Sequence, residues 1–276
     1  MKILISADME GATGVTWPAD CEPGTEQWQR CRRMFTSDVN AAVAGFYDGG
    51  ADSVLINEAH STMRNLLLEE LDTRAVMLTG RHKDLSMVEG IQHGDVDGVA
   101  FVGYHAAAGA DGVLAHTYLP NSITAVRVNG ARASEGRLNA FVAAQYGVPV
   151  VLFTGDDRAC ADALNYAPDA PAVAVKDCIS RYSAVCRPPA VTAASIRAAA
   201  AEGAKLAVRH EPQSNDFRAE VEVDAAQLAQ AAAIVPGVQR IGERAVAYKC
   251  SSAYELIRTF KVVCTMISAA VEEDYG

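Results

Sequence analysis

The sequence predicts an α/β protein, a mainly parallel sheet flanked by helices with a smaller α+β lobe at the C-terminus. Two patterns carry the prediction. Through the first 160 residues, short apolar runs of strand length alternate with helical stretches, the pattern that builds a largely parallel sheet. From about Glu211 the pattern changes to a half-buried alternating strand, a short helix, another strand and a closing helix. In a sheet of the first kind, ligands bind outside the carboxyl ends of the strands.

Lys2–Ala7 is a short apolar run ending at a polar site, a buried strand. Apolar residues then recur at helical spacing over residues 25–47, with Thr25 as N-cap and Gly49-Gly50 as the stop. Residues 53–57, 76–79 and 99–104 read as further strands. Ile123–Val128 alternates apolar and polar residues and meets Asn129-Gly130, a hairpin turn. Ser134 caps a helix that runs to Tyr146 and is stopped by Gly147. Residues 149–153 form another buried strand, opening into Thr154-Gly155-Asp156-Asp157. Residues 192–210 are an Ala-rich helix with Thr192 as its cap. Phe217–Val223 is a half-buried strand, 225–234 a helix ending before Pro236-Gly237, 244–249 a strand and 251–271 a closing helix. No repeat or low-complexity linker marks a boundary, so a division into residues 1–210 and 211–276 competes with one continuous domain.

Half of the 276 residues are apolar and 21% are charged, enough to bury a sizeable core and to exclude a disordered or collagen-like chain. The formal net charge of −10 argues against nucleic acid or an anionic membrane surface as the main partner. Solubility accounts for a surplus of that size. Met1–Asp8 has only a short apolar run before an acid, and no stretch approaches the roughly 18 residues of a membrane span. Seven scattered cysteines, never spaced as CxxC, suit buried, reduced thiols better than a disulfide framework or a thiolate zinc site. The expected location is the cytoplasm.

The chemistry gathers at strand ends. Asp8-Met9-Glu10-Gly11 follows the first strand, and a period of two puts Asp8 and Glu10 on the same side. Two carboxylates held close raise each other's pKa unless a cation sits between them, although loop carboxylates are common in their own right. His60 follows the second strand, and His105 follows the 99–104 strand directly. A lone histidine after a strand is more often a capping or solvated residue. Two histidines and two acids on one sheet edge form the ligand mixture of zinc or manganese. Glu135 opens the helix after the hairpin, where an acid also complements the helix dipole. His116, in a loop between glycines and Pro120, is a catalytic base or a turn histidine. His82, His93 and His210 have charged or glycine neighbours and read as solvated.

Two other readings compete. Asp8-x-Glu10 with Thr13 and Gly155-Asp156-Asp157 loosely echoes haloacid-dehalogenase-type phosphohydrolases. That reading needs Asp where Glu10 stands and leaves His60, His105 and His116 without a task. A nucleotide binder fails sooner, because Gly11-Ala12-Thr13-Gly14 is neither GxGxxG nor a P-loop.

An ordered set of segments resembles the M55 family of metallopeptidases, the D-aminopeptidases of the dipeptide-operon type. These are Ser6-Ala7-Asp8-Met9-Glu10-Gly11, Asn57-Glu58-Ala59-His60-Ser61, Ser86-Met87-Val88-Glu89-Gly90 and Gly103-Tyr104-His105-Ala106. His116, Glu135-Gly136 with Asn139, Gly155-Asp156-Asp157, Val175-Lys176 and Ser180-Arg181 continue the series to about residue 190. The resemblance implies two zinc ions per subunit, with Asp8 bridging both, Glu10 and His105 completing one site and His60 and Glu135 the other. It makes His116 the catalytic histidine. It also implies a homo-oligomer, a decameric ring with active sites facing a central channel. Gly155-Asp156-Asp157, Lys176 and Arg181 are read as structural rather than as holders of a substrate carboxylate.

The residues suit that chemistry. Two cations a few ångströms apart can share a water, lower its pKa towards about 7 and polarise a scissile carbonyl. A neutral His116 can take a proton or deliver it to the leaving amine. The expected function is a zinc metallo-aminopeptidase in which a metal-bridged hydroxide attacks the amide carbonyl and frees the N-terminal residue of a short peptide. Its D-stereospecificity comes from the resemblance alone. The nearest alternative is a metal-dependent amidase acting on L-peptides, amino-acid amides or other small amides. More distant are the phosphohydrolase and a non-catalytic peptide-binding ring protein.

Overall fold

Along β1 (Lys2–Ala7), Ile3, Ile5 and Ala7 enter one apolar layer while Leu4 enters the layer on the opposite face. A strand buried on both faces belongs in the interior of a parallel sheet, and β1 stands there, between β2 and β4. A computed structural model describes residues 1–272. The chain continues through α1 (Pro18–Cys21), α2 (Glu26–Asp48), β2 (Ser53–Glu58), β3 (Ala75–Leu78), β4 (Gly98–Tyr104), β5 (Ile123–Val128), β6 (Ala131–Arg132) and α3 (Glu135–Gln145). Next come β7 (Val150–Asp156), α4 (Asp157–Ala163), β8 (Ala172–Ser180), β9 (Ser183–Cys186) and α5 (Pro189–Gly203). The chain closes with β10 (Phe217–Val223), α6 (Ala226–Ala232), β11 (Gln239–Gly242), β12 (Ala245–Cys250) and α7 (Ala253–Ser268).

A seven-stranded sheet runs in the order β3-β2-β1-β4-β7-β8-β9, parallel throughout except for β9, which is antiparallel to β8. A five-stranded antiparallel sheet runs β11-β12-β10-β5-β6. The α/β class with a mainly parallel sheet is therefore what the chain adopts. The second sheet joins β10, β11 and β12, from beyond residue 210, to β5 and β6 from before it. Helices α2 and α5 cover one face of the large sheet, and the second sheet with α3, α6 and α7 covers the other. Strand order departs to opposite sides of β1, towards β2 and towards β4, which opens a crevice at their carboxyl ends.

Helix α2 begins where its cap predicts, with the Thr25 side chain accepting from Trp28 N. Helix α3 does likewise, with Ser134 accepting from Arg137 N. The Ala-rich helix differs from expectation. It begins at Pro189, whose ring suits a first helical turn. Thr192 is not its cap but lies one turn in, buried, donating to Pro189 O and accepting from Thr13 Oγ1. It ends at Gly203 rather than His210 and tightens into a 3-10 turn at Ala204–Leu206; Gly203 packs where a Cβ would sit 1.9 Å from Val151 O. Strands β8, β9 and β11 and helices α1 and α4 were not among the expected elements.

Gly45 marks the closest approach of α2 to α5, since a Cβ there would lie 2.2 Å from Arg197 O and 2.7 Å from Ala200 Cβ. Gly45→Val is expected to cost about 1–3 kcal/mol of stability through overpacking, measured as a lower urea midpoint with an unchanged slope.

Candidate metal centre

Asp8, Glu10, His60, His105, His116 and Glu135 are all buried, and the structure brings all six to the crevice beyond β1, β2 and β4. Asp8 follows β1 directly, its backbone N–H donating to Val102 O on β4. His60 comes two residues after β2, and His105 is the first residue after β4. Glu135 occupies the first turn of α3 and accepts from Tyr118 N at 2.6 Å.

The strand ends meet backbone to backbone. A Cβ on Gly11 would lie 1.9 Å from Tyr104 O, and one on Gly103, whose φ is +75°, would lie 2.0 Å from Asp8 O. Only glycine at both positions lets the Asp8 and His105 side chains approach this closely.

The two oxygens of Asp8 face different partners: Oδ1 lies 3.5 Å from His60 Nδ1 and Oδ2 lies 3.4 Å from His105 Nε2. Glu10 Oε2 lies 2.9 Å from His60 Nδ1 and Oε1 lies 3.7 Å from His116 Nε2. Glu135 Oε1 lies 3.6 Å from His105 Nε2 and 3.9 Å from His116 Nε2. The His105 and His116 rings stack at 4.1 Å.

Each histidine has one nitrogen against a backbone carbonyl. His60 Nε2 is 3.0 Å from Cys21 O, His105 Nδ1 is 3.0 Å from Ala106 O and His116 Nδ1 is 2.8 Å from Leu114 O. A carbonyl only accepts, so that nitrogen carries a proton, and the opposite one is turned inward. His105 Nε2, Asp8 Oδ2 and Glu10 Oε2 are buried without a hydrogen-bond partner, the last misaligned with His60 despite its proximity.

Protons balance the charge of this cluster when no cation does. Burial and the neighbouring Glu10 push the Asp8 carboxyl up to about 7. Burial opposes charge on His105, yet Glu135 lifts it to about 10. His60 is raised in the same way against its burial, by Glu10 and Asp8. Burial also opposes ionisation of Glu10 and Glu135, but His60 and His105 respectively hold them below the usual range. His116 is lowered, by burial and then by its neighbour His105.

Residues 1–262 match the profile of peptidase family M55, D-aminopeptidase. The chain belongs to the M55 family. It is 30% identical over 278 residues to the D-aminopeptidase of Bacillus subtilis (strain 168), covering 100% of both chains. Its fold is similar, with a TM-score of 0.91 and 30% identity, to a solved structure of the Zn-dependent D-aminopeptidase DppA from Bacillus subtilis, described as a self-compartmentalizing protease. That match covers 97% of this chain and 98% of the other.

Other residues in this M55 chain shape the site. Lys176, fully buried on β8, reaches none of the nearby acids and instead donates to Glu10 O, Ala12 O and Val15 O at 2.6, 3.0 and 2.6 Å. It thereby fixes the loop that carries Glu10. Asp156 caps α4 through Ala159 N and accepts from Val113 N, and Asp157 accepts from Cys178 N. Both are occupied in structural bonds. All seven cysteines are unpaired, and Cys186 is exposed rather than buried. The sequence pattern offered no signal for Cys21, whose sulfur lies within 4.8 Å of ligand atoms of Glu10 and His60. Burial pushes that thiol well up, so it is neutral here.

Replacing Lys176 with Met would leave three buried carbonyls without a donor, an expected loss of at least about 3 kcal/mol. Urea unfolding measures the loss, and a loosened Glu10 loop should also lower zinc content by elemental analysis.

Proposed function

We propose that this chain is a zinc-dependent D-aminopeptidase that removes the N-terminal residue from short peptides. The observation that carries the reading is the shared geometry of three histidines, each bonded outward to a carbonyl and turned inward on three buried carboxylates. The donors fit zinc, with imidazole and carboxylate ligands and buried polar atoms that lack any partner within the protein. Asp8, Glu10, His60, His105 and Glu135 would hold the metal. Two ions per chain, with Asp8 shared, are supported by its two oxygens facing different histidines. When bound, zinc supplies a water of lowered pKa and polarisation of the scissile carbonyl.

The remaining steps belong to side chains. His116 is neutral, and its Nε2 faces the carboxylates. That nitrogen takes a proton from the attacking water and passes it to the leaving amine. Leu114 O fixes the tautomer and the ring angle. The cavity of about 880 Å³ above the site accommodates a short peptide rather than a folded chain.

A phosphohydrolase needs its acidic loop free for magnesium, whereas Asp156 and Asp157 are committed to backbone N–H groups. Assembly into a ring of copies, ten in the fullest form, is supported by the self-compartmentalizing relative. A cytoplasmic setting is supported by the unpaired cysteines. No helix among the described residues is long and apolar enough to cross a membrane.

The test is a zinc-loaded preparation offered paired D- and L-aminoacyl dipeptides and amides, with p-nitrophenyl phosphate as control. Cleavage of the D-series is expected. An L preference would retain the site but not the substrate, tight zinc without turnover would favour a binding protein, and phosphatase activity alone would overturn the reading. Asp8→Ala should empty the metal positions by elemental analysis. His116→Gln should keep the zinc and lower kcat by about 10²–10⁴-fold.

A further inference from the structure

Beyond His116 lies a second cavity of about 420 Å³. The two cavities share His116, Asn121 and Arg181. A histidine that hands a proton to the leaving amine stands at the scissile bond, so the leaving residue lies on one side of it and the N-terminal residue on the other. The smaller cavity is further lined by Ala108, Gly109, Ile123, Thr124 and Asp224.

Four cations, Arg81, Lys83, Arg181 and Lys261, line the larger cavity together with the acids Asp8, Glu10, Glu22 and Glu135. Two of the cations are spent on the fold. Lys83 Nζ donates to Asn57 Oδ1, Glu58 O and Leu78 O, and Lys261 Nζ donates to the carbonyls of Lys83 and Asp84. Arg81 donates to Ser61 O at 3.1 Å. The Arg181 guanidinium forms no hydrogen bond or ion pair among the described residues and lies 5.7 Å from the centre of the Tyr182 ring. Its backbone is fixed, because Arg181 O accepts from Leu114 N at 2.8 Å, and Leu114 O in turn orients His116.

We infer that Arg181 binds the C-terminal carboxylate of the substrate and that the smaller cavity receives the leaving residue. This inference rests on the aminopeptidase reading. A guanidinium fork pairs with a carboxylate through two parallel hydrogen bonds, and Arg181 lines both cavities beside His116. Asp224, the acid that lines the smaller cavity, is exposed to water, which screens its repulsion. The enzyme then measures peptide length by charge: amine at the metal centre, carboxylate at Arg181, and one scissile bond between them. Peptides with a free carboxylate near the scissile bond become the preferred class, over amidated or longer chains.

The experiment compares kcat/KM for D-alanyl-D-alanine, its C-terminal amide and D-alaninamide in the wild type, Arg181→Ala, Arg181→Lys and Arg81→Ala. The wild type should favour the free acid over its amide by about 10–100-fold. Arg181→Ala should abolish that preference through a higher KM for the free acid, Arg181→Lys should restore part of it, and Arg81→Ala should leave it intact. An acid-to-amide ratio unchanged in Arg181→Ala overturns the inference, as does an equal loss on both substrates or a ratio lost in Arg81→Ala. Turnover of D-alaninamide with an unchanged ratio refutes the Arg181 role alone. No turnover of any of the three by the wild type refutes the aminopeptidase reading, and the inference falls with it.

Discussion

Three carboxylates buried within a few ångströms of one another are the constraint on which the rest of this structure depends. Asp8, Glu10 and Glu135 are each less than a tenth exposed, and like charges so placed cannot all ionise without a counter-charge. The fold answers with three imidazoles whose outer nitrogens are tied to backbone carbonyls. Every ring is thereby held in one orientation, with its opposite nitrogen presented to the carboxylates. The carboxylates share this charge unequally, with Asp8 raised and Glu10 and Glu135 lowered, which is the arrangement a bound cation relieves.

Much of the architecture around the cluster exists to bring strand ends together. Gly11 and Gly103 let β1 and β4 touch through their backbones. Lys176 gathers the loop that follows β1 by satisfying three carbonyls that would otherwise face an apolar interior. Ser6, one turn of the pleat before the cluster, bonds to the Met87 carbonyl and the Tyr104 hydroxyl, with Asn139 donating to the same Tyr104 oxygen. The side chains of the cluster are thus seated on a polar layer of hydrogen-bonded groups, in which Asn139 Oδ1 has no partner.

Those parts of the molecule governed by local patterns were legible from the sequence. β1 and β10 run between the residues their apolar pattern marks, and α2 and α3 start at their capping Thr25 and Ser134. Asp8 and His105 were readable because each directly follows an apolar run, His60 because it comes shortly after one, and Glu135 because it follows a cap. Strand β8 was hidden by Lys176 and Asp177, charged residues that disguise a buried strand whose ammonium is satisfied by a distant loop. Helix α5 began early because Pro188-Pro189 reads as a loop signal and serves here as a first turn. Cys21, and the freedom of Arg181 from internal partners, depend on contacts between distant segments and leave no local trace.

The inward-facing donors come from five separate segments, carried by the ends of β1, β2 and β4, the loop at His116 and the start of α3. A cation held there joins chain positions from 8 to 135 at a single point, as a covalent cross-link would, but one that can be reversed. Such a tie exists only in the folded chain, so its binding energy adds directly to folding energy and grows with the free metal concentration. The stability of this protein is therefore partly a property of its surroundings, set by how much metal they supply.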